Sequence, residues 1–277
     1  MHRNAKYDTF TQKCPSIPNA KVGKRHLGCY SVCWAKEMRS FRRFVQSAGY
    51  GTRFRTLPRT LASRIGDSET EGHLMKIVAI NGSHRPGKGT ASLIQAALEE
   101  ARAAGLETEM VELSSCNIEF CVGCNRCLGQ KTCTIQDDMT DIMAALKDAD
   151  GIILGSPNYF ANVSARMKNF MDRTRCLHMV ENQLKGKVGG IVATTGLSNC
   201  GGEEAVAAMQ RWFQIHEMLL VQPRPEGEVL GNGCLGSMYR GYEDGKVKWR
   251  RIQDDEIAYK FARQLGRDMA ALIKKLA

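Results

Sequence analysis

The chain has 277 residues, 43% of them hydrophobic, and its longest apolar runs, such as "IVAI" and "GIILG", fall far short of the roughly 20 residues a spanning helix needs. The formal charge of +10 raises the question of a polyanionic partner, but residues 1–74 hold 14 Lys or Arg against 5 Asp or Glu, leaving 25 against 24 downstream. Neither nucleic acid nor a membrane is therefore the expected partner. Eleven cysteines, with no apolar segment shaped like a secretory signal, point to metal or redox chemistry in the cytoplasm rather than to a disulfide framework.

Residues 1–74 lack sustained periodicity, carry the basic runs "KRHLGC", "RSFRRF" and "RFRTLPRT", and close on the acidic linker "GDSETEGH". They read as a basic, poorly ordered extension rather than a stable domain. A transit segment and a nucleic-acid contact are the other readings of that texture, and "CYSVCWA" with the nearby prolines fits neither. Cys14, Cys29 and Cys33 match no strong ligand spacing. At Met75 the texture changes, and residues 75–277 read as one domain.

Lys76 to Ile80 is a buried strand, and Leu93, Ile94, Ala97, Leu98 and Ala101 mark a helix face. "ETEMVEL" (107–113) alternates as a strand with one solvated face, and Ile142, Met143 and Leu146 give a short helix. "GIILGSP" (151–157) is a central strand, Met167, Phe170, Met171 and Thr174 line the next helix, and "KVGGIVAT" (187–194) is another strand. Ala205 to His216 is helical, "MLLV" (218–221) is a fifth strand, and Ile257, Phe261, Leu265, Met269, Leu272 and Leu276 form the last helical stripe. This alternation predicts an α/β fold: a doubly wound, five-stranded parallel sheet with helices on both faces, its ligand crevice at the carboxyl ends of the strands. "GNGCLGSMYRGYEDGKVKWRR" (231–251) is an insert suited to a subunit interface or an exposed hairpin, with Cys234 inside it.

The turn after the first strand, "NGSHRPGKGTAS" (81–92), combines glycines 82, 87 and 89, the hydroxyls of Ser83, Thr90 and Ser92, the fork of Arg85 and a following helix amino terminus. All of these suit a phosphate, although the loop is neither a Walker A nor a G-x-G-x-x-G sequence; a plain flexible turn is the alternative. The segment after the third strand, "GSPNYFANVSARMKNFMDR" (155–173), presents an aromatic pair just past a strand end, where it can cover a flat ring. "TTGLSNCGGEEA" (194–205) is a third glycine-rich loop leading into a helix.

Residues 76–275 resemble the flavodoxin-like family of NAD(P)H-dependent FMN reductases. "GSHRPGKGT" is similar to that family's phosphate loop, with Gly89 where the family usually has Asn. The resemblance implies FMN held at its phosphate by Ser83, Arg85, Gly89, Thr90 and Ala91, and at its ring by Pro157, Asn158, Tyr159, Phe160, Thr194, Thr195 and Gly196. Lys168, Asp172 and Arg173 are expected to be structural, closing a helix and contacting a loop or partner subunit, and Cys200 is more often incidental in such a place. NAD(P)H is the implied donor, and a homodimer or homotetramer the implied assembly.

Cys121, Cys124, Cys127 and Cys133 form C-x2-C-x2-C-x5-C within a loop spanning 116–136. Three cysteines at successive three-residue steps suit an iron-sulfur cube, and four thiolates equally suit tetrahedral zinc. The run resembles the compact motif of iron-sulfur flavoproteins, a branch of the same family, which implies a 4Fe-4S cluster beside FMN. Cys116, five residues upstream of Cys121, could substitute as a ligand but lies outside the spacing, and Asp137 or Asp138 is expected to cap the next helix. No acid-base dyad or nucleophilic triad is apparent, so no catalytic side chain is assigned. An electron-transferring oxidoreductase is expected; a reductase without a cluster and a non-catalytic flavodoxin-like carrier are the alternatives.

Overall fold

The structure is a computed structural model that describes residues 74–197, 200–227 and 234–277. The expectations placed on the basic extension and on Cys14, Cys29 and Cys33 lie outside the described residues.

Strands β1 (Lys76–Asn81), β2 (Glu107–Glu112), β3 (Gly151–Tyr159), β5 (Val188–Thr195) and β6 (Leu219–Leu220) lie in the spatial order β2-β1-β3-β5-β6, all parallel. This is the 2-1-3-4-5 order of a flavodoxin-like sheet, whose ligand crevice opens where the strand order reverses. The short β4 (Asn162–Val163) folds back antiparallel on β3.

Alternation along each strand sorts the core onto two faces. Ile77 and Ala79 of β1, with Ile153, Val188 and Val192, pack beneath helices α1 (Gly89–Ala103) and α5 (Glu256–Leu276). Val78 and Ile80, with Ile152, Leu154, Ile191 and Ala193, pack beneath α2 (Met139–Asp148), α3 (Ala165–Arg173) and α4 (Gly202–Ile215). Helices α1 and α5 cross closely because Gly266 has no side chain: a Cβ there would stand 2.0 Å from the Ala97 carbonyl oxygen.

One expectation is corrected. The stretch 218–221 supplies only the two residues Leu219 and Leu220 to the sheet, beside the start of β5. Pro223 and Pro225 follow, and prolines lack the N–H that would continue the ladder. The rest of that sheet position is β7 (Cys234–Ser237), which pairs in parallel with Val192–Thr195 at the other end of β5. Cys234 is therefore a core residue, fully buried with its thiol donating to the Ala258 carbonyl at 3.3 Å, and burial pushes its pKa far up. The remainder of the insert is a hairpin of β8 (Tyr239–Glu243) and β9 (Lys246–Trp249). Among the described residues no helix is long and apolar enough to cross a membrane.

Candidate functional site

Three loops meet at the carboxyl ends of β1, β3 and β5. In the first, the Ser83 amide donates to Asn81 Oδ1 at 3.1 Å, and the Ser83 hydroxyl accepts from the Arg85 amide at 3.1 Å. Asn81 is itself held by Glu112 at 2.7 Å, and the Gly87 amide donates to the same carboxylate at 3.3 Å. Helix α1 then begins at Gly89 with no side chain capping it. The first-turn amides of such a helix lack intrahelical partners and carry the positive end of its dipole, which favours an anion. Ser83 and Thr90 are buried, Ala91 is buried behind them, and Arg85 is exposed at the mouth.

The second loop is a tight hairpin. Asn158 pairs with Val163 and Tyr159 with Asn162, so Phe160 and Ala161 form a two-residue turn with φ of 51° and 60°. Left-handed values at both central positions are the type I′ geometry, normally supplied by Asn-Gly; two L side chains there store about 1–2 kcal/mol each. The turn places Phe160 fully exposed at its tip and Tyr159 half out, its ring 5.6 Å from that of His84 in the first loop. Ser164 ties this segment to the first loop: its hydroxyl donates to the Gly82 carbonyl at 2.5 Å while capping α3 at the Met167 amide.

The third loop joins both. Thr194 and Thr90 share a buried hydrogen bond of 2.8 Å between their hydroxyls. Asn158 Nδ2 donates to the Cys200 carbonyl at 2.9 Å and to Thr195 Oγ1 at 3.4 Å, and the Cys200 sulfur sits 3.0 Å from Thr195 Oγ1. Asn158 Oδ1 is buried without a hydrogen-bond partner. Gly196 is approached by the indole of Trp249, which would lie 3.4 Å from a Cβ at that position. Pro157 is buried at the end of β3, beside Thr194 in the sheet. All twelve residues expected at a cofactor lie in these three loops or in the strand ends and helix start that frame them. Trp249, Ser164 and Glu112 were not foreseen; only Ser164 carried a local signal, as a Ser directly before an apolar helical pattern.

The cysteine loop is a separate construction. Cys121, Cys124, Cys127 and Cys133 line one hollow together with Arg173, Arg175 and Cys176. The chain curls around it through the left-handed Gly123 and Asn125, and Arg175 donates to Asn125 Oδ1 at 2.8 Å. The Arg126 amide and then the Thr134 hydroxyl hold the Cys124 thiol below its usual pKa, which favours a thiolate. Among the described residues no three His, Cys, Asp or Glu side chains are gathered into a ready-made single-ion site. The four thiols lie beside Arg173 and Arg175, with Asp172 also on the lining, and a donor set rich in sulfur next to cationic side chains suits a soft, anionic thiolate complex.

Helix α3 anchors this loop. Arg166 donates to the Leu113 carbonyl at 3.2 Å, Asn169 to the Ile118 carbonyl at 2.9 Å, and Arg173 to the Glu119 carbonyl at 2.7 Å. Arg173 and Asp137 form a bidentate pair of 2.6 and 3.0 Å with side chains only 1% and 2% exposed. Burial alone would raise the Asp137 carboxyl, but Arg173 and the amides of Glu119 and Met139 outweigh it and hold it below the usual carboxylate range. The expected capping role is thus divided: Asp137 accepts from the Met139 amide at 3.1 Å while chiefly holding Arg173, and Asp138 turns away to the Asn117 amide. Cys116 does not line the hollow; it is half-buried, and burial pushes its thiol up. Cys176, 1% exposed, was not singled out, yet it lies three residues beyond Arg173 on the continuing helical turn and therefore shares its face. Lys168 and Asp172 form an exposed i,i+4 pair.

Comparison with known proteins gives the family. Residues 75–225 match the family described as NADPH-dependent FMN reductase. An iron-sulfur flavoprotein of Methanocaldococcus jannaschii is 38% identical over 200 residues, covering 72% of this chain and 98% of that one. An iron-sulfur flavoprotein of Archaeoglobus fulgidus is 34% identical over 193 residues, covering 70% and 92%. Among solved structures, an NAD(P)H:quinone oxidoreductase from Methanothermobacter marburgensis has the same fold, with a TM-score of 0.51 at 12% identity over 71% of this chain and 97% of the other. With the family matched over residues 75–225 and relatives aligned over nearly their whole length, the chain belongs to the NADPH-dependent FMN reductase family of oxidoreductases.

Proposed function

We propose that the chain takes electrons from NAD(P)H or a reduced carrier and passes them to an acceptor through FMN and a four-iron, four-sulfur cluster. The observation that carries the reading is the pairing, in one domain, of three interlocked loops at the sheet's crevice with a four-thiol hollow anchored on α3. Its relatives named as iron-sulfur flavoproteins support the second half.

Ser83, Arg85, Gly89, Thr90 and Ala91 would hold the FMN phosphate, with the uncapped amides of α1 as donors and Arg85 closing over the anion. Pro157, Asn158, Tyr159 and Phe160 would flank the ring on one side and Thr194, Thr195 and Gly196 on another, with the partnerless Asn158 Oδ1 accepting from a ring N–H. Cys121, Cys124, Cys127 and Cys133 would ligate the cluster. When bound, FMN exchanges one or two electrons and the cluster one, so together they couple a two-electron donor to a one-electron partner. The residues bind, orient and shield; no side chain is required to act as acid or base. Fully exposed Phe160 and the exposed Tyr242 and Trp249 supply apolar surface for the homodimer or homotetramer we infer.

Four cysteine thiolates suit a tetrahedral zinc ion as well as an iron-sulfur cluster, so metal content separates the two. The test is the absorption spectrum and metal content of protein purified without oxygen. Flavin bands over a broad absorbance, with about four irons per chain, support the reading. Zinc, or flavin bands alone, overturn its cluster half, and absence of flavin overturns it entirely.

A further inference from the structure

The cysteine hollow contains a charged group whose hydrogen bonding is incomplete. Arg173 is almost wholly buried and lines the hollow directly beside the thiols. Its Nη1 donates to the Glu119 carbonyl and to Asp137, and its Nη2 to Asp137, but Nε is buried with no partner. A buried guanidinium N–H left unmade is costly, so its position calls for an acceptor within the hollow that Arg173 and the thiols line together. The Cys133 sulfur lies against the same guanidinium; burial works against the Arg173 charge, and Asp137 and Cys133 sustain it.

We infer that Arg173 is a positioning residue for the cluster: its free Nε–H donates to the Cys133 ligand sulfur, and its charge favours the reduced, more negative state of whatever the four thiolates hold. This inference rests on the cluster reading above. The second partner gives it a distinctive sign. Asp137 holds the guanidinium without itself lining the hollow, and the two side chains carry opposite charges at nearly the same place. Reduction adds one negative charge to the hollow. Removing Arg173 leaves the Asp137 carboxylate uncompensated and disfavours reduction; neutralising Asp137 leaves the Arg173 charge uncompensated and favours it.

The test is an EPR-monitored redox titration of the anaerobically purified full chain and of Arg173→Gln, Arg173→Lys and Asp137→Asn, with iron release to a chelator measured alongside. The expected result is opposite shifts: the reduction equilibrium falls about tenfold in Arg173→Gln, about 59 mV for a one-electron couple, and rises in Asp137→Asn. Arg173→Lys keeps the charge but not the fork, so its potential stays near that of the parent while iron is released faster. If Arg173→Gln fails to fold, the other two variants still decide the matter. Unchanged potentials, or shifts of one sign in Arg173→Gln and Asp137→Asn, overturn the role of Arg173 while leaving the cluster in place. A parent protein with neither iron nor an EPR signal overturns the cluster reading and this inference with it.

Discussion

His216 makes the stability of this domain acid-sensitive. It is 2% exposed at the end of α4, its ring 4.5 Å from that of Trp212 and 5.7 Å edge-on from that of His178. Its Nε2 reaches only Thr174 Oγ1 at 3.4 Å, and its Nδ1 is buried without a partner. Burial, and secondarily the neighbouring His178, push its pKa down from 6.5 to about 4. The folded value lies below the unfolded one, so the contribution is fully present above about pH 6.5 and is lost as pH falls toward 4. A shift of that size is worth about 3 kcal/mol, most of it lost by about pH 4.5. Replacing His216 with Phe or Gln removes the group that must be protonated. Urea unfolding followed by Trp fluorescence, in which Trp212 reports on this cluster, should show the parent losing about 2.5 kcal/mol more than either variant between about pH 7.5 and 4.5. Parallel pH profiles for parent and variants would refute the reasoning.

Other substitutions test the site's construction. Asp137→Ala strands the buried Arg173 charge, which costs about 3–5 kcal/mol and should lower the calorimetric Tm by roughly 6–20 °C. Ala161→Gly relieves one left-handed residue of the β3–β4 turn and should raise Tm by about 2–4 °C for each kcal/mol recovered. Thr90→Val breaks the buried bond to Thr194 and should weaken FMN binding about 3–10-fold in a fluorescence titration, with Tm lowered by only a few degrees. Serine at Cys121, Cys124, Cys127 or Cys133 should each cut the iron content of anaerobic protein, whereas Cys116→Ser should leave it intact.

The sheet was legible because its central strands are short, apolar and buried, and alternate with helices whose stripes keep their period; Ile77 to Ile80 declare themselves without neighbours. The fifth position was half hidden. Leu219 and Leu220 announced it, but its other half, Cys234–Ser237, holds a glycine and sits in a glycine-rich insert, where its pairing with β5 is set by tertiary packing. The three loops were legible from glycines and hydroxyls at strand ends, whereas Trp249 reaches Gly196 from a hairpin about fifty residues downstream, which no local pattern encodes. Spacing identified the four cysteines. It said nothing of Cys176 or Arg173 as their surroundings, because those arrive from α3 and its extension across the fold, and the pairing of Asp137 with Arg173 is likewise a tertiary contact.

The most direct test of the whole account is a count of electrons. Anaerobic reductive titration of the full chain, followed by absorption and EPR, should consume about three electrons per FMN, two assigned to the flavin and one to the cluster. An endpoint at two electrons, with no EPR signal from iron, would contradict it.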